Sequence, residues 1–290
     1  MKRVVLLAAV VAVVGGGLVW SATGQPREDA GPPALGEVRR VSTGRDVVLP
    51  FDSYRHPSTE VNTIERATAV LAKQCMTRFG HDWPLPTSDA VDPTVHTSGG
   101  RYGIVDATEV ATRGYHAAEE PAEQRTADPQ QPLDAVMVYT GKGATTVGGQ
   151  AVPEGGCVGE ARRKLEEGVP QGLAGADFAA LDRSLYEEAQ ADGRVQQAMS
   201  GWRDCMAAAG YQYADVWAAN DDVRWSAPAP TPEEIAVATT DVACREKTGL
   251  TATWLAVETA YQQRTITERA AEFDALRQGM RVRLANAARV

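Results

Sequence analysis

One pattern occurs twice in the chain, as Cys75-Met76-x-x-x-Gly80-His81-x-Trp83 and as Cys205-Met206-x-x-x-Gly210-Tyr211-x-Tyr213. Each copy reads as the last turn of an amphipathic helix, with a cysteine on the buried side, a glycine that stops the helix in a left-handed conformation, and aromatic residues just beyond. A further cysteine follows each copy, Cys157 in the first half and Cys244 in the second. Four cysteines allow three connectivities. The repetition favours Cys75–Cys157 with Cys205–Cys244, because in both halves the first cysteine ends a helix and the second sits in or opens a charged one. Outside the membrane such bonds form and persist, and each is expected to stabilise by about 2–5 kcal/mol.

With 43% hydrophobic residues, 290 residues are enough for a substantial core in one or two domains. A formal net charge of −9 speaks against a nucleic-acid partner, which would need clustered Lys and Arg on a surface that is basic overall. At the N-terminus Lys2 and Arg3 precede an apolar run over residues 4–20, and Ser21-Ala22-Thr23-Gly24 supplies small residues suited to signal peptidase. Residues 1–24 are therefore expected to be a signal peptide or, uncleaved, an N-terminal membrane anchor that leaves the following chain outside. No cysteine follows the run, so a lipoprotein anchor is not expected. Residues 25–43, rich in Pro and Gly, read as a flexible linker, and residues 44–290 as an extracytoplasmic helical domain in two halves, about 44–168 and 169–290.

Val47 to Tyr54 reads as an extended clasp lying on the core. A first helix is expected from Ser58 to Phe79, its inner stripe formed by Val61, Ile64, Thr68, Leu71, Cys75 and Phe79. Between Gly80 and Gly156, glycines and prolines leave room only for short elements: helices near Asp106–Arg113 and Leu133–Tyr139 and a small hairpin at Gly148-Gly149. An irregular insert of this length is where a binding surface is expected, against the alternative of a cover over the core. Helices then follow from Cys157 to Glu167, over Ala176–Ala191, and over Gly193–Ala209 behind an Asp192 cap. Thr231-Pro232-Glu233-Glu234 is a capping box that opens a helix ending near Gly249. From Thr251 onward one helix is expected to run past Gly279 and to project as a partner-binding arm. These elements make a mainly α fold, packed helices stapled by two disulfides around an irregular Gly/Pro-rich insert.

Signals for chemistry are sparse. Cys157 follows two glycines at a possible helix start, a setting that can activate a thiolate, with His56, His81, His96 and His116 as possible bases. The cysteines lack CxxC spacing and no His-x-x-His pair accompanies them, so no metal site is expected. Glu119-Glu120 and Asp221-Asp222 could serve as acid pairs on glycans. Asn220-Asp221-Asp222 lacks the register of a calcium loop, and Gly148-Gly149 and Gly155-Gly156 lack the strand, lysine and helix of a phosphate loop. No cofactor is expected. Trp83, Tyr211, Tyr213, Trp217 and Trp225 form the candidate binding set, able to stack on sugars or on a proline-rich segment, with core packing as the alternative.

Several stretches together resemble a family of exported actinomycete proteins: Leu49-Pro50-Phe51-Asp52, both Cys-Met-x-x-x-Gly patterns, Arg101-Tyr102-Gly103, Gly155-Gly156-Cys157-Val158-Gly159-Glu160-Ala161 and Asp241-x-x-Cys244. The resemblance spans most of the chain after residue 24 and transfers no activity. It implies an envelope setting, near export systems with a membrane-fusion adaptor and an ABC-type permease. The resulting expectation is a non-enzymatic cell-envelope protein that binds an envelope protein or an extracellular ligand, with a secreted hydrolase acting on cell-wall polymer as the alternative.

Overall fold

The structure is a computed structural model that describes residues 31–86, 98–116, 131–143, 145–173 and 175–290. Residues 1–24, residues 25–30 of the linker, His96, Glu119 and Glu120 lie outside that set. Among the described residues the fold is mainly α, with ten helices: α1 (Ser58–Arg78), α2 (Ala107–Arg113), α3 (Leu133–Thr140), α4 (Gly156–Leu165), α5 (Gly175–Ala191), α6 (Gly193–Ala208), α7 (Val216–Asn220), α8 (Pro232–Thr248), α9 (Leu250–Glu268) and α10 (Ala270–Ala287). A two-residue hairpin, β1 (Thr146–Val147) and β2 (Gln150–Ala151), is antiparallel and turns at Gly148-Gly149.

The repeated cysteine pattern ends its two helices in the same way. His81 N–H donates to Met76 O and Gly80 N–H to Thr77 O, while Tyr211 N–H donates to Met206 O and Gly210 N–H to Ala207 O. Both glycines take a positive φ, 79° and 91°, and these paired bonds satisfy carbonyls that a helix end otherwise leaves without donors. Each methionine is sealed in a core, and the cysteine before it reaches its partner: Cys75 to Cys157 and Cys205 to Cys244, with Cα atoms 5.5 and 5.7 Å apart. The halves diverge at the second cysteine. Cys157 opens α4, whereas Cys244 lies in the last turns of α8.

Residues 32–290 form one compact unit with two main apolar clusters. In the smaller, α1, α3 and α4 enclose Cys75, Met76, Ala135, Val138 and Cys157. Here α3 and α4 meet backbone to backbone: a Cβ on Gly156 would lie 2.3 Å from both Gly141 N and Tyr139 O, so only glycine allows the approach. The larger cluster draws on α5, α6, α8 and α9 around Trp202, Met206, Leu250 and Trp254. Across it runs the expected clasp, wound into a 3-10 turn over Pro50–Tyr54 rather than extended there, with Val47, Leu49, Phe51 and Tyr54 buried. Phe51 packs against Phe178 and Phe273 with ring centroids 5.1 and 5.2 Å apart. Burying each large side chain of this kind is worth about 1.5–3 kcal/mol.

Two further stretches fold differently from the expectation. The long C-terminal helix is interrupted at Arg269, whose φ and ψ of −116° and 33° are not helical, although neither glycine nor proline is present. The interruption lets α9 and α10 both pack on the turn formed by residues 50–54. α10 is then no projecting arm, because it lies along α1 and α4. Ala287 is buried with Ala67 and Leu165, Arg283 pairs with Glu166, and Asn286 Nδ2 donates to the Leu165 and Glu167 carbonyls. The second difference concerns residues 98–116, which do not lie on the surface of the insert but enter the core.

Candidate functional site

Residues 98–116 dock over a face of α8 and α9 that carries charge. On α8 that face presents Glu234, Asp241 and Arg245, spaced by two turns and then one, and on α9 it presents Glu258 and Gln262, one turn apart. All five side chains are buried. A buried charge is tolerated only when paired and hydrogen-bonded, and the docked segment supplies most of what these acids need. Arg101 forms an ion pair with Glu258 and two contacts of 3.0 Å with Asp182 on α5, which also takes Arg55. Tyr102 donates to Glu258 Oε2 at 2.7 Å. Asp241 is held by Arg245 on its own helix, by Trp202 Nε1 at 2.8 Å, and by the Tyr115 hydroxyl at 3.0 Å. Glu234 accepts from Tyr115 N–H and faces His116 Nδ1 at 2.7 Å.

The pairing sets the protonation states. Burial pushes the Glu258 carboxyl up, against the pull of Arg101 and Tyr102. Burial also works to lower the Arg101 guanidinium, but Glu258 and Asp182 more than reverse it. The Tyr102 and Tyr115 hydroxyls are raised by burial and by the carboxylates they serve, so they remain donors at any ordinary pH. Gln262 completes the seam, accepting Phe51 N–H at 2.9 Å and donating to Glu258 at 3.0 Å. Beside the seam, a cavity of about 130 Å³ is lined by Arg40, Ser42, Val105, Arg245, Glu246 and Thr251. Arg40 and Glu246 pair with each other along its wall.

The residues singled out from sequence are dispersed through the fold. All four cysteines are in disulfides, so Cys157, which is fully buried, carries no thiolate. Trp83 stacks on Tyr139 at 4.2 Å in the smaller cluster, whereas Tyr211, Tyr213, Trp217 and Trp225 pack against the larger one. Trp225 is buried with its Nε1 on Ala219 O, and Trp217 Nε1 donates to the Tyr186 hydroxyl. Tyr213, partly buried, sits with Asp222 and Arg224 on the surface. There the Arg224 hydrogen bonds hold Asp222 down to about 2, and burial together with Asp222 raises Tyr213 to about 12. Asp221 instead accepts from Asn220. His56 contacts Glu60, His81 lies just beyond the end of α1, and His116 is part of the seam. Among the described residues no group of three or more His, Cys, Asp or Glu side chains gathers to hold a metal, and no helix is long and apolar enough to cross a membrane.

The motifs that carry the family resemblance are used in architecture. In Arg101-Tyr102-Gly103, the arginine and tyrosine serve the seam and the Tyr102 carbonyl takes Arg245 Nη1. Gly103, at φ 80°, passes between Arg245 and Trp217. In Leu49-Pro50-Phe51-Asp52, the Asp52 carboxylate takes Leu49 N–H at 2.8 Å and Ser98 Oγ at 2.6 Å, which ties the clasp to the docked segment. In the Gly155–Ala161 stretch, Gly159 lies against Glu154 O and Glu160 pairs with Arg78 and Lys164. Compared with protein-family models, curated proteins and solved structures, the chain matches none.

Sequence reasoning missed Glu234, Asp241, Arg245, Glu258 and Gln262. A signal was present for the last two. Glu258 and Gln262 fall at helical spacing on the stripe of Trp254, Leu255 and Tyr261, so they face the core and must find partners there. The two disulfides place the folded unit in an oxidising, extracytoplasmic setting.

Proposed function

We propose that the chain is an exported, non-enzymatic envelope protein that binds an envelope protein or an extracellular ligand, as an accessory to an export system. The observation that carries this reading is the seam. Glu234, Asp241, Glu258 and Tyr102, buried groups of the kind a hydrolase would need to expose, are engaged in fastening residues 98–116 to α8 and α9. The family resemblance and the stapled architecture support the same reading. So does the surface, which carries open grooves of about 510 Å³ between α1 and the end of α10 and about 530 Å³ between residues 36–48 and α9, within the size range that ligands occupy. The reading is tested by cross-linking in producing cells, with the purified protein incubated in parallel with cell-wall material. A discrete complex with an envelope component and no release of soluble fragments is the expected result. Monomer alone, or release of fragments that stops when a single acid is replaced, would turn the assignment toward a secreted hydrolase.

A further inference from the structure

His116 stands at the end of the docked segment with both ring nitrogens on acceptors. Nδ1 lies 2.7 Å from Glu234 Oε1 and Nε2 lies 2.8 Å from Ala227 O. A neutral imidazole has one N–H and can serve only one of the two, whereas the imidazolium serves both. Glu234 is fully buried, and its second oxygen, Oε2, has no protein donor. Gly114, at φ 57°, lets the turn come down on this carboxylate, since a Cβ there would lie 2.6 Å from Glu234 Oε1.

Among the described residues the surrounding charges are already committed. On α2, Glu109 and Arg113 pair with each other, and Arg113 also donates to the His116 carbonyl. On α8, Asp241 is held by Arg245 and Tyr115, and Glu233 by Arg224 from the turn at residues 223–225. The loop before α8 offers His116 the Ala227 carbonyl. His116 is therefore the cation that balances Glu234.

We propose that His116 and Glu234 form a pH-sensitive latch, which fastens the α2 end of the docked segment to α8 while His116 is protonated and loosens when the proton leaves. Deprotonation leaves the Glu234 charge buried beside a neutral ring and turns one nitrogen lone pair toward an acceptor, and both effects oppose docking. The Ala227 carbonyl first, and then Glu234, hold the imidazolium above its ordinary value of 6.5. A group whose folded-state value is raised contributes its full stability below the unfolded value and loses it as pH rises through the folded one. The latch is thus closed below the ordinary imidazole value and opens as pH rises through the raised value of His116. At the other end of the segment, Arg101 keeps its charge throughout, so the opening is confined to the α2 end.

Hydrogen exchange by mass spectrometry on the full chain at about pH 6 and about pH 9, on either side of histidine titration, tests this once rates are normalised to intrinsic exchange. Amides of residues 107–116 should lose at least about tenfold in protection at the higher pH, as expected when a charge-assisted hydrogen bond to a buried group is lost, while those of 98–103 keep theirs. His116→Gln should give low protection at both values, and Glu234→Gln should flatten the step. Equal wild-type protection at both values, or a step that persists in His116→Gln, would overturn the proposal. Should either variant fail to fold, ring titration of wild-type His116 by NMR decides, since a value at or below that of ordinary imidazole is incompatible with the latch.

Discussion

The Tyr102 hydroxyl donates to the Glu258 carboxylate at 2.7 Å, joining groups 156 residues apart in the chain at a point sealed from solvent on both sides. Arg101, the residue before, supplies the cation for the same carboxylate. A segment of irregular backbone thereby becomes part of the core, because its side chains are what make the acids of α8 and α9 tolerable inside it.

Removing the cation should cost more than removing the pair. Arg101→Ala leaves Glu258 buried and uncompensated and is expected to destabilise by about 3–5 kcal/mol, whereas replacing Arg101 and Glu258 together by methionine should cost much less. Denaturant midpoints of the two variants, with m-values compared to confirm two-state unfolding, check the difference.

Two glycines should respond differently to alanine. Gly103 has a positive φ, and its added Cβ would make ordinary contacts of 3.5 Å or more with Arg245 and Trp217, so Gly103→Ala is expected to cost about 1–2 kcal/mol from backbone strain alone. Gly156 adds a backbone clash at 2.3 Å to the same strain, and Gly156→Ala should cost at least about 3 kcal/mol. Thermal unfolding of both variants ranks them, and the reverse order would contradict the packing of α3 on α4.

The disulfides should differ in access more than in strength. They span 82 and 39 residues, for which loop closure gives about 4.5 and about 3.9 kcal/mol. Cys75 and Cys157 are both sealed, whereas Cys205 is partly exposed. Under graded reductant with alkylation of the freed thiols, Cys205 and Cys244 are expected to label first.

In acid the loop around Tyr213 should loosen on its own. The Asp222 carboxyl is lowered to about 2, chiefly by Arg224, so its contribution is present above the ordinary value of 3.8 and is lost as pH falls through about 2. Arg224 also lies 4.7 Å over the Trp225 ring, and near-UV circular dichroism between these values should change in the wild type and lose that step in Asp222→Asn.

What the sequence made legible was set by local chemistry. Glycine after Cys-Met-x-x-x fixes where α1 and α6 stop, Thr231 and Pro232 fix where α8 starts, and the repeated ending anticipates which cysteines pair. The α8 end of the seam was hidden because Glu234 occurs in a context that usually faces water. Glu234 sits in the first turn of α8, where an acid ordinarily answers only to the helix dipole, and its partner His116 is 118 residues away. The interruption at Arg269 was hidden too. No glycine or proline marks it, and the break goes with two helices packing on one turn.

Hydrogen exchange at a single neutral pH, comparing wild type with Arg101→Ala, tests the central claim most directly. If residues 98–116 are held in the core by the seam, amides of Tyr102 and Gly103 exchange nearly as slowly as those of α8 and α9 in the wild type, and that protection collapses in the variant. Exchange of 98–116 at the rate of free chain in the wild type, with α8 and α9 still protected, would contradict it.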